Sequence, residues 1–275
     1  MPEIGHIALF TAFLLVAGLG SGFAGGLFGI GGGILRIPIF LYLFPAFGMD
    51  PSEVMHIATG TSLALAIPTG FRSASIQHRS GNLEVPFLRS WIPPLVIGVV
   101  AGVFAARVIS GKTLSAIFAI AMLGIAIEML ALPKHVRIAR AVPGHPVRDL
   151  LAGSIGALST MIGVTGGAFT TPALTLCGVS IHRAVAVAAA GSAAVASVGT
   201  LGSVISGLGV AGRPAWALGY VDGLAFIVML PAIIISAPQG VKLANRLSEE
   251  QLRKIFGVFL IFVSADMLRQ VFVGF

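Results

Sequence analysis

Gly25-Gly-Leu-Phe-Gly-Ile-Gly-Gly-Gly-Ile-Leu-Arg-Ile-Pro38 decides the fold, because a degenerate copy of this stretch returns later in the chain. Gly29-Ile-Gly-Gly-Gly33 recurs 134 residues on as Gly163-Val-Thr-Gly-Gly167, and the same offset sets Gly22 on Gly156 and Pro38 on Pro172. Working outward, an offset of 130 pairs Ser62 with Ser192 and Ala64 with Ala194. An offset of 138 pairs Gly81 with Gly219, Pro93 with Pro231 and Glu128-Met-Leu130 with Asp266-Met-Leu268. A duplicated apolar bundle with glycine-broken helices is the pattern of a secondary transporter.

Composition sets the class independently. The chain is 56% hydrophobic and only 10% charged, with a mean hydropathy of +1.00, too little polar surface to coat a soluble globule. Its apolar stretches run for about 20 residues without alternation, which fits helices crossing a bilayer and not barrel strands. Spans are expected at 6–28, 34–47, 53–76, 88–109 and 113–132, then at 149–162, 168–180, 183–208, 217–243 and 250–273. The first lacks a basic leader and its second half matches 149–162, so it is expected to be retained. The expectation is therefore an all-α integral membrane protein of two inverted repeats. Each repeat holds about five membrane segments and starts on glycine-broken or short helices. Residues 1–132 form the first membrane repeat, 133–148 a basic cytoplasmic linker and 149–275 the second repeat. Cys177 is the single cysteine and excludes an intramolecular disulfide. The net charge of +7 shows no basic stripe interleaved with aromatics, so no nucleic-acid partner is expected and the charges read as topology signals.

Counting those charges orients the chain. Five crossings per half with a cytoplasmic linker put Arg79, Arg89, Lys134, Arg137, Arg140, Arg148, Arg183, Lys242, Arg246, Arg253 and Lys254 inside, and Arg107, Lys112, Arg213 and Arg269 outside. Four crossings per half would flip the second copy and divide the same charges almost evenly, so the positive-inside rule prefers five. An odd number of crossings inverts the second repeat about a pseudo-twofold axis in the membrane plane.

The 14 residues of 34–47 make a helix of only about 21 Å, short of the apolar slab. Glycine loops drawn toward the midplane expose backbone, which is tolerated only where it lines a cavity or lies within protein. A helix start carries partial positive charge and unpaired N–H groups, and glycine lets an anion approach them. Two repeats would point two such starts at one site. The expected binding residues are Gly31, Gly32, Gly33, Arg36, Thr61 and Ser62 from the first copy, and Thr165, Gly166, Gly167 and Ser192 from the second, with Thr59, Thr170 and Thr171 as further hydroxyl donors. For any one glycine, close helix packing is the alternative; the duplicated clusters as units favour binding.

The glycine run to Pro38, the later Thr59-Gly-Thr-Ser-Leu63 and the second copy around Gly163–Pro172 resemble the sulfite exporter TauE/SafE family, also called the toluene-sulfonate uptake permease family, over nearly the whole chain. The resemblance implies a multi-pass permease of the bacterial inner membrane for sulfite or organosulfonate-type anions, with direction differing among members. Arg36 departs from that pattern, where an apolar residue is expected. It reads either as a counter-charge for substrate or as an arginine that snorkels or pairs with Glu53.

His56, His78, Glu128 and Asp266 are the candidates for proton coupling, the two acids reading first as interface anchors whose symmetry permits a proton-linked role. Glu84 and Asp222 correspond and are expected to cap the helices that follow them. Enzymatic readings find no support: no nucleotide loop follows a strand, and Ser192 and His182 stand too far apart along one helix for a protease dyad. No cofactor and no metal are expected. The expected partners are a small anionic substrate and the lipid bilayer, with a homo-oligomer left open. A passive anion channel, or a transporter of another small anion, is the alternative.

Overall fold

The computed structural model describes residues 2–28, 32–81, 83–131, 139, 141–210, 212–244 and 246–273. Among the described residues ten helices follow one another: α1 (Pro2–Phe28), α2 (Gly33–Ala46), α3 (Pro51–Arg79), α4 (Val85–Val108), α5 (Gly111–Ala131), α6 (Val147–Met161), α7 (Gly167–Leu176), α8 (Ile181–Gly207), α9 (Gly223–Ala244) and α10 (Glu249–Val273). Seven of them, all except α2, α6 and α7, are long and apolar enough to cross a membrane. Their outer faces carry bare aliphatic and aromatic side chains, among them Ile97, Ile227 and Phe262, each at least 69% exposed. Such a surface is stable only in lipid. The chain is an all-α integral membrane protein crossing the bilayer many times. Of the expected linker, 133–148, residues 133–138 and 140 lie outside the described residues, Lys134, Arg137 and Arg140 included.

Small residues set the helix pairs. α1 lies on α9 with Gly18 against Ala232, Gly22 against Ser236 and Gly26 against Ala237, so the two run parallel. α4 and α6 repeat the arrangement, with Gly98 on Gly153 and Gly102 on Ala157. At these contacts a Cβ would collide with the neighbouring helix, and backbones approach closely because none is there. α3 and α8 run antiparallel: Gly60 faces Ser203, Leu63 faces Gly199 and Gly70 faces Ala193. α5 packs on α10. Replacing every helix by the one five further along turns the α1–α9 pair into α6–α4 and leaves α3–α8 and α5–α10 as pairs.

The short helices start below the surface of the bundle. The position a Cβ would take on Gly32 is 2.7 Å from the carbonyl oxygen of Ser21, so α2 begins about 10 Å back from the end of α1, seven residues at 1.5 Å each. From there α2 runs back along α1 and ends where Phe47 packs on Phe10 at a ring separation of 4.8 Å. Gly166 lies beside Ser159 and Ile155 of α6, the counterparts of Gly25 and Ser21 at the offset of 134.

One expected span is corrected. Residues 217–222 do not begin a helix but form a hairpin, β1 (Ala217–Leu218) paired antiparallel with β2 (Val221–Asp222). The hairpin lies between α3 and α8, where Gly60 and Gly207 leave room for its backbone and the Tyr220 N–H donates 3.1 Å to the Ser203 carbonyl. Asp222 ends it and caps α9, its carboxylate accepting 2.7 Å from the Ala225 N–H. Glu84, the matching acid, makes no such bond at the start of α4. It pairs instead with Arg183 of α8 at 2.7 Å.

Candidate functional site

Gly32 and Gly166 fix the geometry. Both take left-handed backbone, at φ 74° and φ 42°, and both are the N-caps of the short helices. Only glycine adopts that conformation without strain. No side chain caps either helix start, although a helix ordinarily leaves four N–H groups there to be satisfied. Gly32 and Gly166 are both buried. Gly31 lies outside the described residues.

The two starts come together. A Cβ on Gly33 would stand 3.1 Å from the Gly163 carbonyl oxygen and 3.3 Å from Ser62 Oγ. Ser62 donates 2.8 Å to that carbonyl, and Ser192 donates 2.6 Å to the carbonyl of Thr165. The matched serines, one from each half, thus hold the second loop between them. Gly167 opens toward Ser192, whose Oγ is 3.1 Å from its Cβ position.

Two further hydroxyls face this loop. Thr59 is 5% exposed and Ser159 is fully buried, and neither Thr59 Oγ1 nor Ser159 Oγ has a hydrogen-bond partner among the described residues. Thr59 Oγ1 lies 3.2 Å from the Cβ position of Gly163, and Ser159 Oγ lies 3.6 Å from that of Gly166. An unsatisfied buried polar group costs about 1–3 kcal/mol, so two of them at one spot call for an explanation. Arg36, one turn into α2 with its N–H bonded to the Gly32 carbonyl, is fully buried. Glu53, the alternative partner expected for it, faces the Tyr220 hydroxyl. Thr61 is occupied elsewhere: its Oγ1 accepts 2.9 Å from the Asp222 N–H.

The titratable candidates are spread out. His78 is exposed at the far end of α3. Glu128 is half-buried on α5. Asp266 is bound by the hydroxyl of Tyr42, by Gln270 Nε2 at 3.0 Å and by Arg269 at 3.2 Å, a set of partners that anchors α10 to α2. His56 alone stands near the loops, its Nε2 3.0 Å from the Ala106 carbonyl and its ring stacked on Tyr220 at 5.2 Å.

Cavities approach from both ends of the α3–α8 pair. One of about 630 Å³ opens at the start of α3 and is lined by Glu53, His56, Arg107, Lys112, Tyr220 and Gln270. One of about 770 Å³ opens at the start of α8, between Glu84, Phe87, Arg148, Cys177, Arg183 and Val187. Because α3 and α8 are antiparallel, these starts are at opposite ends of the bundle.

Sequence reading missed Ser159 and Tyr220. Ser159 reads as an ordinary small residue in an apolar helix; the one signal for it is its place four residues ahead of the repeated Gly163.

A family model described as sulfite exporter TauE/SafE matches residues 14–267. A probable membrane transporter protein of Haemophilus influenzae is 31% identical over 264 residues, covering 94% of this chain and 98% of the relative. A probable membrane transporter protein of Methanocaldococcus jannaschii is 30% identical over 266 residues, covering 93% and 96%. No solved structure matches. Glycine-capped half-length helices, the Thr59-Gly-Thr-Ser-Leu63 run against them and a match over nearly the whole length agree: the chain belongs to the sulfite exporter TauE/SafE family of membrane transporters.

Proposed function

We propose that this protein is a secondary transporter of the cytoplasmic membrane that carries a small oxyanion, of the sulfite or organosulfonate class, by alternating access. The observation that carries the reading is the meeting of two uncapped helix starts, at Gly32 and Gly166, with the unpartnered hydroxyls of Thr59 and Ser159. Every group in that set is a hydrogen-bond donor or presents partial positive charge, and a tetrahedral oxyanion accepts from several directions at once. Arg36 adds a buried positive charge one turn beyond Gly32, a favourable neighbour for an anion at that helix start. The proposed binding set is Gly32, Gly33, Arg36, Thr59, Ser62, Ser159, Thr165, Gly166, Gly167 and Ser192.

Alternating access has its own support. Matched helices α3 and α8 run antiparallel, as inverted repeats require, whereas parallel repeats would align them. The two cavities lie at opposite ends of that pair, and the passage from the first toward the loops narrows to about 20 Å³, room for about one water. Closure on one side is what alternating access requires of a carrier between cycles.

Thermal unfolding of the purified protein tests the ligand. Sulfite or a small sulfonate should stabilise it by about 2.7 kcal/mol at a hundredfold excess over Kd, and chloride at equal ionic strength should not. Arg36→Gln should weaken that stabilisation, because glutamine keeps donors but loses the charge. Stabilisation by cations or neutral solutes and by no oxyanion would overturn the reading.

A further inference from the structure

The cavity at the start of α3 continues inward. His56, Arg107 and Tyr220 line it, and the same three residues line the neck of about 20 Å³, whose deeper wall includes Thr59 and Thr160. Thr59 is the residue whose Oγ1 lies over Gly163, so the neck points at the loops. A space for about one water does not hold a tetrahedral anion, and two of the side chains that line it, His56 and Tyr220, are stacked at 5.2 Å with 27° between their planes.

Tyr220 reaches this place because of the hairpin. Its N–H is bonded to the Ser203 carbonyl, and the neighbouring Gly219 carbonyl is held by Arg213 Nη1 at 3.2 Å. The Tyr220 hydroxyl faces Glu53, and burial first, then that carboxylate, pushes its pKa up to about 12. The phenol therefore stays a neutral donor and adds no negative charge to the passage. Arg107 is exposed at the last turn of α4 and pairs with no carboxylate among the described residues, yet it lines both the cavity and the neck. Lys112 adds a second cation on the cavity wall.

We propose that this is one mouth of the transport path, in which Tyr220, held on His56 by the hairpin, is the gate, and Arg107 is the residue that selects a small oxyanion at the throat. The proposal rests on the transport reading only for the class of ligand. An arginine bordering both spaces raises the local concentration of anions and lowers that of cations. Opening requires the ring of Tyr220 to leave the stack, a side-chain motion and not a rearrangement of the bundle.

Thiol reactivity tests both parts without any transport measurement. In full-length protein carrying Cys177→Ala, Thr59→Cys is treated with a negatively charged sulfonatoethyl and a positively charged trimethylammonioethyl methanethiosulfonate, and the modified fraction is followed by mass. Tyr220→Ala should raise the rate about tenfold with both reagents. His56→Ala, which removes the other face of the stack, should act in the same sense and serves where Tyr220→Ala does not fold. Arg107→Gln should lower the ratio of anionic to cationic rates several-fold. Thr160→Cys provides a second reporter in the neck, and Ser52→Cys, on the cavity wall, should react readily in every background. A Ser52→Cys that reacts while the neck cysteines stay equally slow with and without the stack overturns the gate; a rate ratio unmoved by Arg107→Gln overturns the selectivity role. Loss of oxyanion stabilisation in the thermal assay, with these rates as expected, would instead count against the ligand class.

Discussion

Thr59 and Ser159 put polar oxygens in a buried region of the bundle and leave them without partners among the described residues. If they are kept for a substrate, removing them should separate stability from activity. Thr59→Val and Ser159→Ala should each unfold at the same temperature as the parent or higher, relieving up to about 1–3 kcal/mol, while sulfite transport in proteoliposomes falls. Lower unfolding temperatures in both would make the hydroxyls structural. At this scale the sequence was legible where the repeat marked a position twice: Gly33, Gly163, Ser62 and Ser192 lie together in the structure. It was illegible where one position of helical phase decides the outcome. Thr61 is two residues from Thr59, and that rotation turns its hydroxyl to Asp222 while Thr59 faces the loop. Ser159 carries no pattern of its own, since a lone serine in a membrane helix usually bonds back to its own backbone.

Among the elements, the hairpin before α9 is where matched sequence and matched structure part. Asp222 binds the Ala225 N–H at 2.7 Å and Trp216 Nε1 at 2.9 Å, and its own N–H bonds Thr61. Asp222→Ala should therefore cost at least about 1–2 kcal/mol in thermal unfolding. Glu84→Ala should cost no more than about 1 kcal/mol, because Glu84 makes no cap bond and its ion pair with Arg183 is solvated. Equal effects at the two acids would contradict the difference between them. The ten helices themselves were legible, because apolar runs of 20 residues and glycine or proline breaks leave few alternatives. The hairpin was not: Ala217-Leu-Gly-Tyr-Val221 continues the apolar run of α9. What stops it being helix is room left by Gly60 and Gly207 on helices far away in the chain, a tertiary cause with no local sign.

Across the whole molecule, α3 provides a ruler. Gly81 follows its C-terminal end, and Gly212 stands 3.4 Å from the Asp50 Cβ at its N-terminal end, measured from the Cβ position of the glycine. The 29 residues between them span about 43 Å, the thickness of a bilayer with its headgroups. Single cysteines at Gly81 and Arg213, in a Cys177→Ala background, should label from opposite faces, Gly81 from the cytoplasm and Arg213 from outside. Labelling from one side would remove the inverted arrangement. The pairing of helices has one more consequence, which concerns time. α1 packs on α9, α4 on α6, α3 on α8 and α5 on α10, so each of these interfaces joins an early helix to a late one. The stripe of Gly18, Gly22 and Gly26 meets its partner only once Ala237 has been made, more than two hundred residues later, roughly 10–40 s at ribosomal speed. Throughout synthesis the first half therefore waits in the membrane with its close-packing surfaces turned to lipid, and the nascent bundle becomes a folded transporter only as its last two helices arrive.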